Sequence, residues 1–293
     1  MREILILSGK GGTGKTTMVG SLAALVPNKV LADCDVDAAD LHLLLNPKVK
    51  KETEFWSGVT AKVDSSLCTA CGTCEELCRF DAIKILEKAE IDSLSCEGCG
   101  VCAEFCPEEA IDLNDNLCGS WFISNTDYGP MFHAQLGIGE ENSGKLVSLV
   151  KKEARSIAEK IKADWILVDG SPGIGCPVIA SLAGADLILI VTEPTKSGLH
   201  DLNRVLDLAE HFKVPSCVCI NKGDLNREVA EKIQQTCLKR QILMLGLIPF
   251  DPDAISSVVA GKPLVENSNG PGAMAIREIW GKLEKIALDQ KKK

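Results

Sequence analysis

The chain has 293 residues, 45% of them hydrophobic but only 4% aromatic, and a net charge of −9. The length allows one large core, or one core with a small companion. The acidic balance argues against a nucleic-acid groove as the main activity. No apolar run reaches the roughly 18 residues that a membrane-spanning helix needs.

With so few aromatics, the core must be built from Ala, Ile, Leu and Val, which favours a parallel sheet covered by helices. The opening "MREILILSGKGG" has no signal-peptide form, because its apolar stretch is short and ends in a glycine loop. A cytoplasmic location is expected. In that reducing setting the 14 cysteines are better metal ligands than disulfide partners. Eight fall between Cys68 and Cys106, while Cys34, Cys118, Cys176, Cys217, Cys219 and Cys237 are scattered.

Glu3–Leu7 reads as a short buried strand. "GKGGTGKTT" (Gly9–Thr17) follows, then a helix with apolar residues at Met18, Leu22 and Leu25. Strand, glycine loop and helix form the context of a phosphate-binding loop. Backbone N–H groups of Gly11, Gly12, Thr13 and Gly14 point into one concavity, and the helix N-terminus adds positive dipole at Lys15, Thr16 and Thr17. Lys15 is placed for the β- and γ-phosphates and Thr16 for Mg²⁺. "KVLADCDVDAADLHLLL" is a strand over Val30–Asp33 running into the carboxylates Asp33 and Asp35, with Asp37 and Asp40 as weaker candidates. Residues 46–66 read as a polar connector.

Next comes an internal repeat. "CTACGTCEELCRFDAIKI" from Cys68 aligns without gaps on "CEGCGVCAEFCPEEAIDL" from Cys96, at an offset of 28, with eight of 18 positions identical. Each half has the spacing C-x2-C-x2-C-x3-C, which resembles bacterial two-cluster ferredoxins. The resemblance implies two 4Fe–4S clusters with crossed ligands. Cys68, Cys71, Cys74 and Cys106 would hold one, and Cys96, Cys99, Cys102 and Cys78 the other. Gly72 and Gly100 leave room near the sulfides. Pro107 follows the last ligand as expected, but Arg79 stands at the equivalent place in the first half and would bring positive charge toward the second cluster. Zinc is the alternative, but it does not explain four cysteines per half.

After the repeat, Trp121–Ile123 reads as a strand and Gly144–Lys162 as a helix, with "ENSGK" (Glu141–Lys145) as its cap. Trp165–Val168 is a buried strand ending in Asp169, followed by "GSPGIG". "DLILIVT" is another strand, with a helix behind it. "SCVCINKGD" ends a strand at Asn221, and "GLIPFDPD" places Pro249–Asp251 after a further one. In the last helix, Ile276, Ile279, Trp280, Leu283 and Ile286 form a stripe ahead of three terminal lysines. A packed terminal helix is favoured there over membrane contact.

The order of these motifs resembles the MinD, Mrp, ParA and nitrogenase-iron-protein family over roughly residues 1–60 and 115–290. The fold class implied is α/β: a P-loop NTPase whose mainly parallel sheet is flanked by helices and interrupted by a small ferredoxin-like α+β insert. Residues 1–60 and 115–293 would form the ATPase domain and 61–114 the insert. The resemblance also implies ATP and Mg²⁺. Lys10 would reach across a homodimer to the partner's nucleotide. Asp35 would position the attacking water, and Asp33 would support the Mg²⁺ shell. Asp169 would hold Mg²⁺ through water, and the N–H of Gly173 would sense the γ-phosphate. Asn221 would read adenine, with Pro249 and Asp251 on its other side. Cys176, seven residues after Asp169, is a weaker candidate cluster ligand by analogy with the nitrogenase iron protein.

The function expected is an ATP-hydrolysing dimeric switch whose clusters exchange electrons with a protein redox or metalloprotein partner. The alternatives are a carrier or scaffold for metal-cofactor assembly, and a MinD-like spatial organiser with structural clusters. No lone C-x-x-C lies near the C-terminus, which argues against the carrier.

Overall fold

The computed structural model describes residues 1–137, 140 and 143–289. Its first strand, β1 (Arg2–Leu7), is buried on both faces from Ile4 onward. That is the environment a run of Ile and Leu requires. In chain order there follow α1 (Lys15–Leu25), β2 (Lys29–Cys34), α2 (Leu41–Leu45), β3 (Lys48–Val63), α3 (Thr73–Leu77), β4 (Ile83–Ile85), β5 (Ala89–Ile91), α4 (Val101–Glu104), β6 (Ile111–Thr126) and β7 (Gly129–Leu136). The remainder alternates: α5 (Ser143–Lys160), β8 (Trp165–Gly170), α6 (Cys176–Leu182), β9 (Leu187–Thr192), α7 (Lys196–His211), β10 (Ser216–Asn221), α8 (Arg227–Lys239) and β11 (Leu243–Ile248). Three helices close the described chain: α9 (Asp253–Val259), α10 (Leu264–Asn267) and α11 (Pro271–Asp289).

The main sheet has the order β11-β10-β9-β1-β8-β2-β7-β6-β3. From β11 to β7 every pairing is parallel. This is the α/β architecture that alternating strands and helices imply. The order reverses beside β1, and in such sheets the strand ends at that point form the binding crevice. The terminal helix settles the reading of its apolar stripe. Ile276, Ile279, Trp280 and Leu283 are buried in the main core, and Ile286 packs against it. Trp280 meets Trp165 edge-on at 5.4 Å between ring centroids. The lysines at 291–293 lie outside the described residues, as does Glu141–Asn142 of the "ENSGK" cap. No described helix is long and apolar enough to cross a membrane.

The chain divides into two compact units, the second formed by Glu54–Ser120 with Leu136–Asn142. Residues 46–66, expected as a polar connector, are instead mostly the strand β3. Val49, Thr53, Phe55, Val59, Ala61 and Val63 share one parity, and the charges between them mask the alternation. β3 ends the strand order, where lysines such as Lys48 and Lys50 discourage edge-to-edge pairing. The strand expected at Trp121–Ile123 is only the second half of the sixteen-residue β6.

Within the second unit the sequence repeat is also a backbone repeat. Ala70 and Gly98, Gly72 and Gly100, and Asp81 and Glu109 are three pairs, 28 residues apart, all with positive φ. Asp64 N donates to Ala110 O, and Asp92 N to Ala82 O, both at 2.8 Å. Gly98 cannot be the alanine found at position 70, because a Cβ there would overlap the Val59 carbonyl oxygen. The small core is drawn evenly from both halves: Ala61 and Ala89, Cys74 and Cys102, Ile83 and Ile111.

Candidate functional site

β1 ends at Leu7, and the glycine loop carries the chain to α1. Gly14 sits at φ of 93°, where an L side chain is strained, and a Cβ there would displace Asn221 Nδ2. That same Nδ2 donates to Thr13 O at 2.8 Å, so the end of β10 braces the loop. Lys222 Nζ donates to Gly12 O at 3.2 Å. Gly11 and Gly12 are exposed, Thr13 is buried, and Thr16 and Thr17 are half-buried at the helix start.

At the ends of β2 and β8 two carboxylates, Asp35 and Asp169, meet one ammonium, with Asp33 beside them. Lys15 Nζ lies 2.5 Å from Asp169 Oδ1 and 3.2 Å from Asp35 Oδ2, and all three residues are buried. Burial alone would lower the Lys15 pKa, but Asp169 and Asp35 outweigh it and hold it above the usual lysine range. Asp33 receives N–H bonds from Asp35 at 3.1 Å and Leu41 at 3.3 Å. Burial and the nearby Asp169 nevertheless push its carboxyl well above the usual range. Burial also raises Asp35, against the pull of Lys15. Asp169 Oδ2 is buried with no hydrogen-bond partner. The orphaned Asp169 oxygen and the neighbouring carboxylates are oxygen ligands of the type a hard divalent cation takes, although their present positions do not form a ready-made cation site.

This crowding has a measurable cost. A carboxyl whose pKa is raised by folding takes up a proton on folding, so its contribution to stability falls as pH rises above about 4. Asp33→Asn is therefore expected to raise the melting temperature of nucleotide-free protein by a few degrees at pH 7 and to give no gain near pH 4. A lower melting temperature at pH 7 contradicts this electrostatic account.

The Gly173 N–H, expected to sense a γ-phosphate, instead donates to Ser8 O at 2.9 Å. Lys10 is engaged within its own chain. Its Nζ lies 2.6 Å from Glu193 Oε1 and 3.2 Å from Ser197 Oγ. Lys222 also reaches Glu193, at 3.3 Å. The pull of these two lysines outweighs burial and keeps the Glu193 carboxyl below its usual range. Sequence reading missed Glu193, Ser197 and Lys222. The available signal was their place just beyond the ends of β9 and β10, at the same sheet edge as the loop.

Beside the loop opens a cleft of about 420 Å³, lined by Gly12, Gly14, Thr17, Asn221, Pro249 and Asp251 among others. Met18, Phe250, Ile255 and Val258 supply an apolar wall that the motifs did not reveal. Asp251 faces this cleft only in part. Its carboxylate accepts N–H bonds from Gly272 at 2.9 Å and Asp253 at 3.0 Å, so it caps the starts of α11 and α9. Asp251→Ala is expected to cost about 1–2 kcal/mol of stability, seen as a lower denaturation midpoint without nucleotide. An unchanged midpoint contradicts the capping role.

The eight clustered cysteines line two hollows. Cys68, Cys71, Cys74 and Cys106 surround one, and Cys78, Cys96, Cys99 and Cys102 surround the other. The thiols stand around these spaces without meeting at a point. Among the described residues, no group of three or more His, Cys, Asp or Glu is arranged to hold a metal ion. Backbone N–H groups reach several sulfurs: Ala70 to Cys68 at 3.4 Å, Ala110 to Cys106 at 3.3 Å and Ala61 to Cys96 at 3.5 Å. The Thr73 hydroxyl beside Cys71 holds that thiol below its usual pKa. The remaining cysteines behave differently. Cys34, Cys217, Cys219 and Cys237 are buried, Cys217 and Cys219 within the main apolar core, and burial pushes Cys219 up to about 12 and Cys237 to about 11. Cys118 is buried and donates to Ser57 O at 2.9 Å. Cys176 is exposed at the start of α6.

Residues 4–264 match the CobQ/CobB/MinD/ParA nucleotide binding domain. The uncharacterized protein MJ0578 of Methanocaldococcus jannaschii is 34% identical over 287 residues, covering 97% of each chain. The cell division ATPase MinD of Pyrococcus furiosus superimposes with a TM-score of 0.58 at 21% identity, over 97% of this chain and 99% of that one. MinD of Pyrococcus horikoshii, solved with Mg-ADP, gives 0.57 at 19% identity, over 98% and 97%. At these identities the structural likeness speaks for the fold alone, and the family match speaks for a nucleotide-binding domain. The chain belongs to the CobQ/CobB/MinD/ParA family of nucleotide-binding P-loop ATPases.

Proposed function

We propose that the protein is an ATP-hydrolysing dimeric switch whose inserted unit, near residues 61–114, holds two 4Fe–4S clusters and exchanges electrons with a protein partner. The observation that carries the inserted part is the division of eight thiols into two hollows, four and four, in the crossed sets that the spacing implies. A single zinc ion needs ligands converging at about 2.3 Å, whereas a cluster needs thiolates around a larger space. Bound there, each cluster would accept and release one electron at a time.

For the nucleotide, Lys15 would exchange its bonds to Asp35 and Asp169 for the β- and γ-phosphates. That exchange frees Asp35 to orient water in line with the γ-phosphate. Thr16, Asp33 and Asp169 would hold Mg²⁺, which supplies charge neutralisation at the phosphates. Gly11, Gly12, Thr13, Gly14 and Thr17 would cradle the phosphates, and the cleft between Asn221 and Pro249 would take the adenine. Lys10 would leave Glu193 and reach the nucleotide of a second copy.

β7, on which the chain returns from its excursion, pairs with β2 at Leu31↔Met131 and Ala32↔Phe132, directly before Asp33. Between Glu54 and Ser120 fourteen acidic residues stand against four basic ones, so the partner's face is basic.

A second reading, a MinD-like spatial organiser whose cysteine-rich unit only folds, is favoured by the likeness to MinD. An anaerobic iron and sulfide count on the full chain tests the insert directly. About eight of each per chain is the expected result. Stoichiometric zinc, or no metal, overturns the redox reading and leaves the organiser reading standing.

A further inference from the structure

We infer that the two hollows are unequal seats for an electron, and that the one lined by Cys68, Cys71, Cys74 and Cys106 holds it more tightly. The inference rests on reading the hollows as cluster sites. The repeat supplies an internal control, since each residue of the first half has a counterpart 28 positions later.

Cys71 Sγ lies 3.4 Å from Thr73 Oγ1. Once Cys71 is a thiolate ligand, only the hydroxyl can donate. The counterpart of Thr73 is Val101, which offers Cys99 no donor. Lys88 Nζ donates to the Cys68 carbonyl. Its counterpart, Asn116, spends its amide on Glu140 at 2.7 Å. Both hollows carry apolar side chains, Val63, Ile85 and Ile111 at the first and Leu77, Phe80 and Val101 at the second, so the contrast lies in the donors. Arg79 and Lys88 are both exposed and line neither hollow, so the free charge of each is screened by water; Lys88 differs in being held against a ligand residue by its bond to the Cys68 carbonyl.

Reduction adds negative charge to a site already ringed by thiolates. Hydrogen-bond donors to sulfur and a nearby cation stabilise that added charge. Loaded with clusters, the first hollow would therefore hold an electron more tightly than the second, and an electron supplied by a low-potential one-electron donor would rest there, with no bond made or broken and no proton moved. Thr73 and Lys88 are the residues that set this preference.

The test is an EPR-monitored redox titration of the full-length chain, reconstituted anaerobically with iron and sulfide and reduced with dithionite. Two separate midpoints are expected. Thr73→Val and Lys88→Gln should each lower the higher midpoint and leave the lower one in place. Val101→Thr should raise the lower one, which keeps the test readable if a first-half variant loses iron. Coincident midpoints in the unsubstituted protein overturn the inference. So does a response to Thr73→Val or Lys88→Gln that appears at the lower midpoint or at neither. With a full iron count, such a result overturns this inference alone. A chain that takes up no iron overturns the cluster reading, and this inference with it.

Discussion

Lys15→Ala is expected to abolish both ATP binding and ATP hydrolysis, whereas Asp35→Ala is expected to abolish hydrolysis and leave binding nearly intact. The two residues touch, so the split tests their separate roles. Lys15 carries the charge that meets the phosphates in both ground and transition states, and removing it costs binding as well as rate. Asp35 acts on the attacking water, so its loss should appear in kcat, by at least about 10²-fold, the scale of a lost transition-state contact. Lys15→Ala also leaves Asp169 buried without its partner, which costs about 3–5 kcal/mol of stability. Melting curves must therefore accompany the assay, and Asp35→Ala is the cleaner variant. Fluorescent-nucleotide binding with single-turnover hydrolysis reads both effects. Asp35→Ala hydrolysing at the unsubstituted rate would remove it from the mechanism.

Cys74→Ser and Cys102→Ser are each expected to remove the iron of one hollow, which halves the total, and to leave the family fold in place. The two cysteines belong to different sets and are counterparts in the small core. The double variant should lose nearly all iron. Cys217→Ser, on β10 in the main core, and Cys176→Ser should leave the iron count unchanged. A loss of iron on Cys176→Ser would instead add that exposed thiol to the ligands. Loss of all iron from a single hollow variant would show that the two hollows load together.

The alternation of apolar strands and helices was legible, because two-sided burial demands unbroken runs such as Ile4–Leu7 and Leu187–Val191. The phosphate loop was legible because glycine at positive φ leaves few substitutes. Length was the main failure among the strands. β3 and β6 each run sixteen residues; β3 looked like connector because charges separate its few core-facing positions, and of β6 only the part around Trp121–Ile123 read as a strand. The candidate site was legible in its carboxylates and its lysine, which are tied to strand ends. Its second layer was not. The Lys10–Glu193–Lys222 group joins three segments far apart in sequence, and only the sheet order β10-β9-β1 brings their ends together. Asp251 shows the reverse error, since its side chain is committed to two helix starts. The cysteine repeat was readable to the single residue, because three left-handed positions recur at the same offset and fix the register of both halves.

The central claim is that nucleotide state and the cysteine-rich unit are coupled through one molecule. Its most direct test is to measure both midpoint potentials of the reconstituted full-length protein by EPR, once with Mg-ADP and once with a non-hydrolysable Mg-ATP analogue. Coupling predicts that at least one midpoint differs between the two nucleotides, and by linkage that reduction changes nucleotide affinity by the corresponding factor. Identical midpoints in both states, with nucleotide binding and iron content confirmed in the same samples, would contradict it.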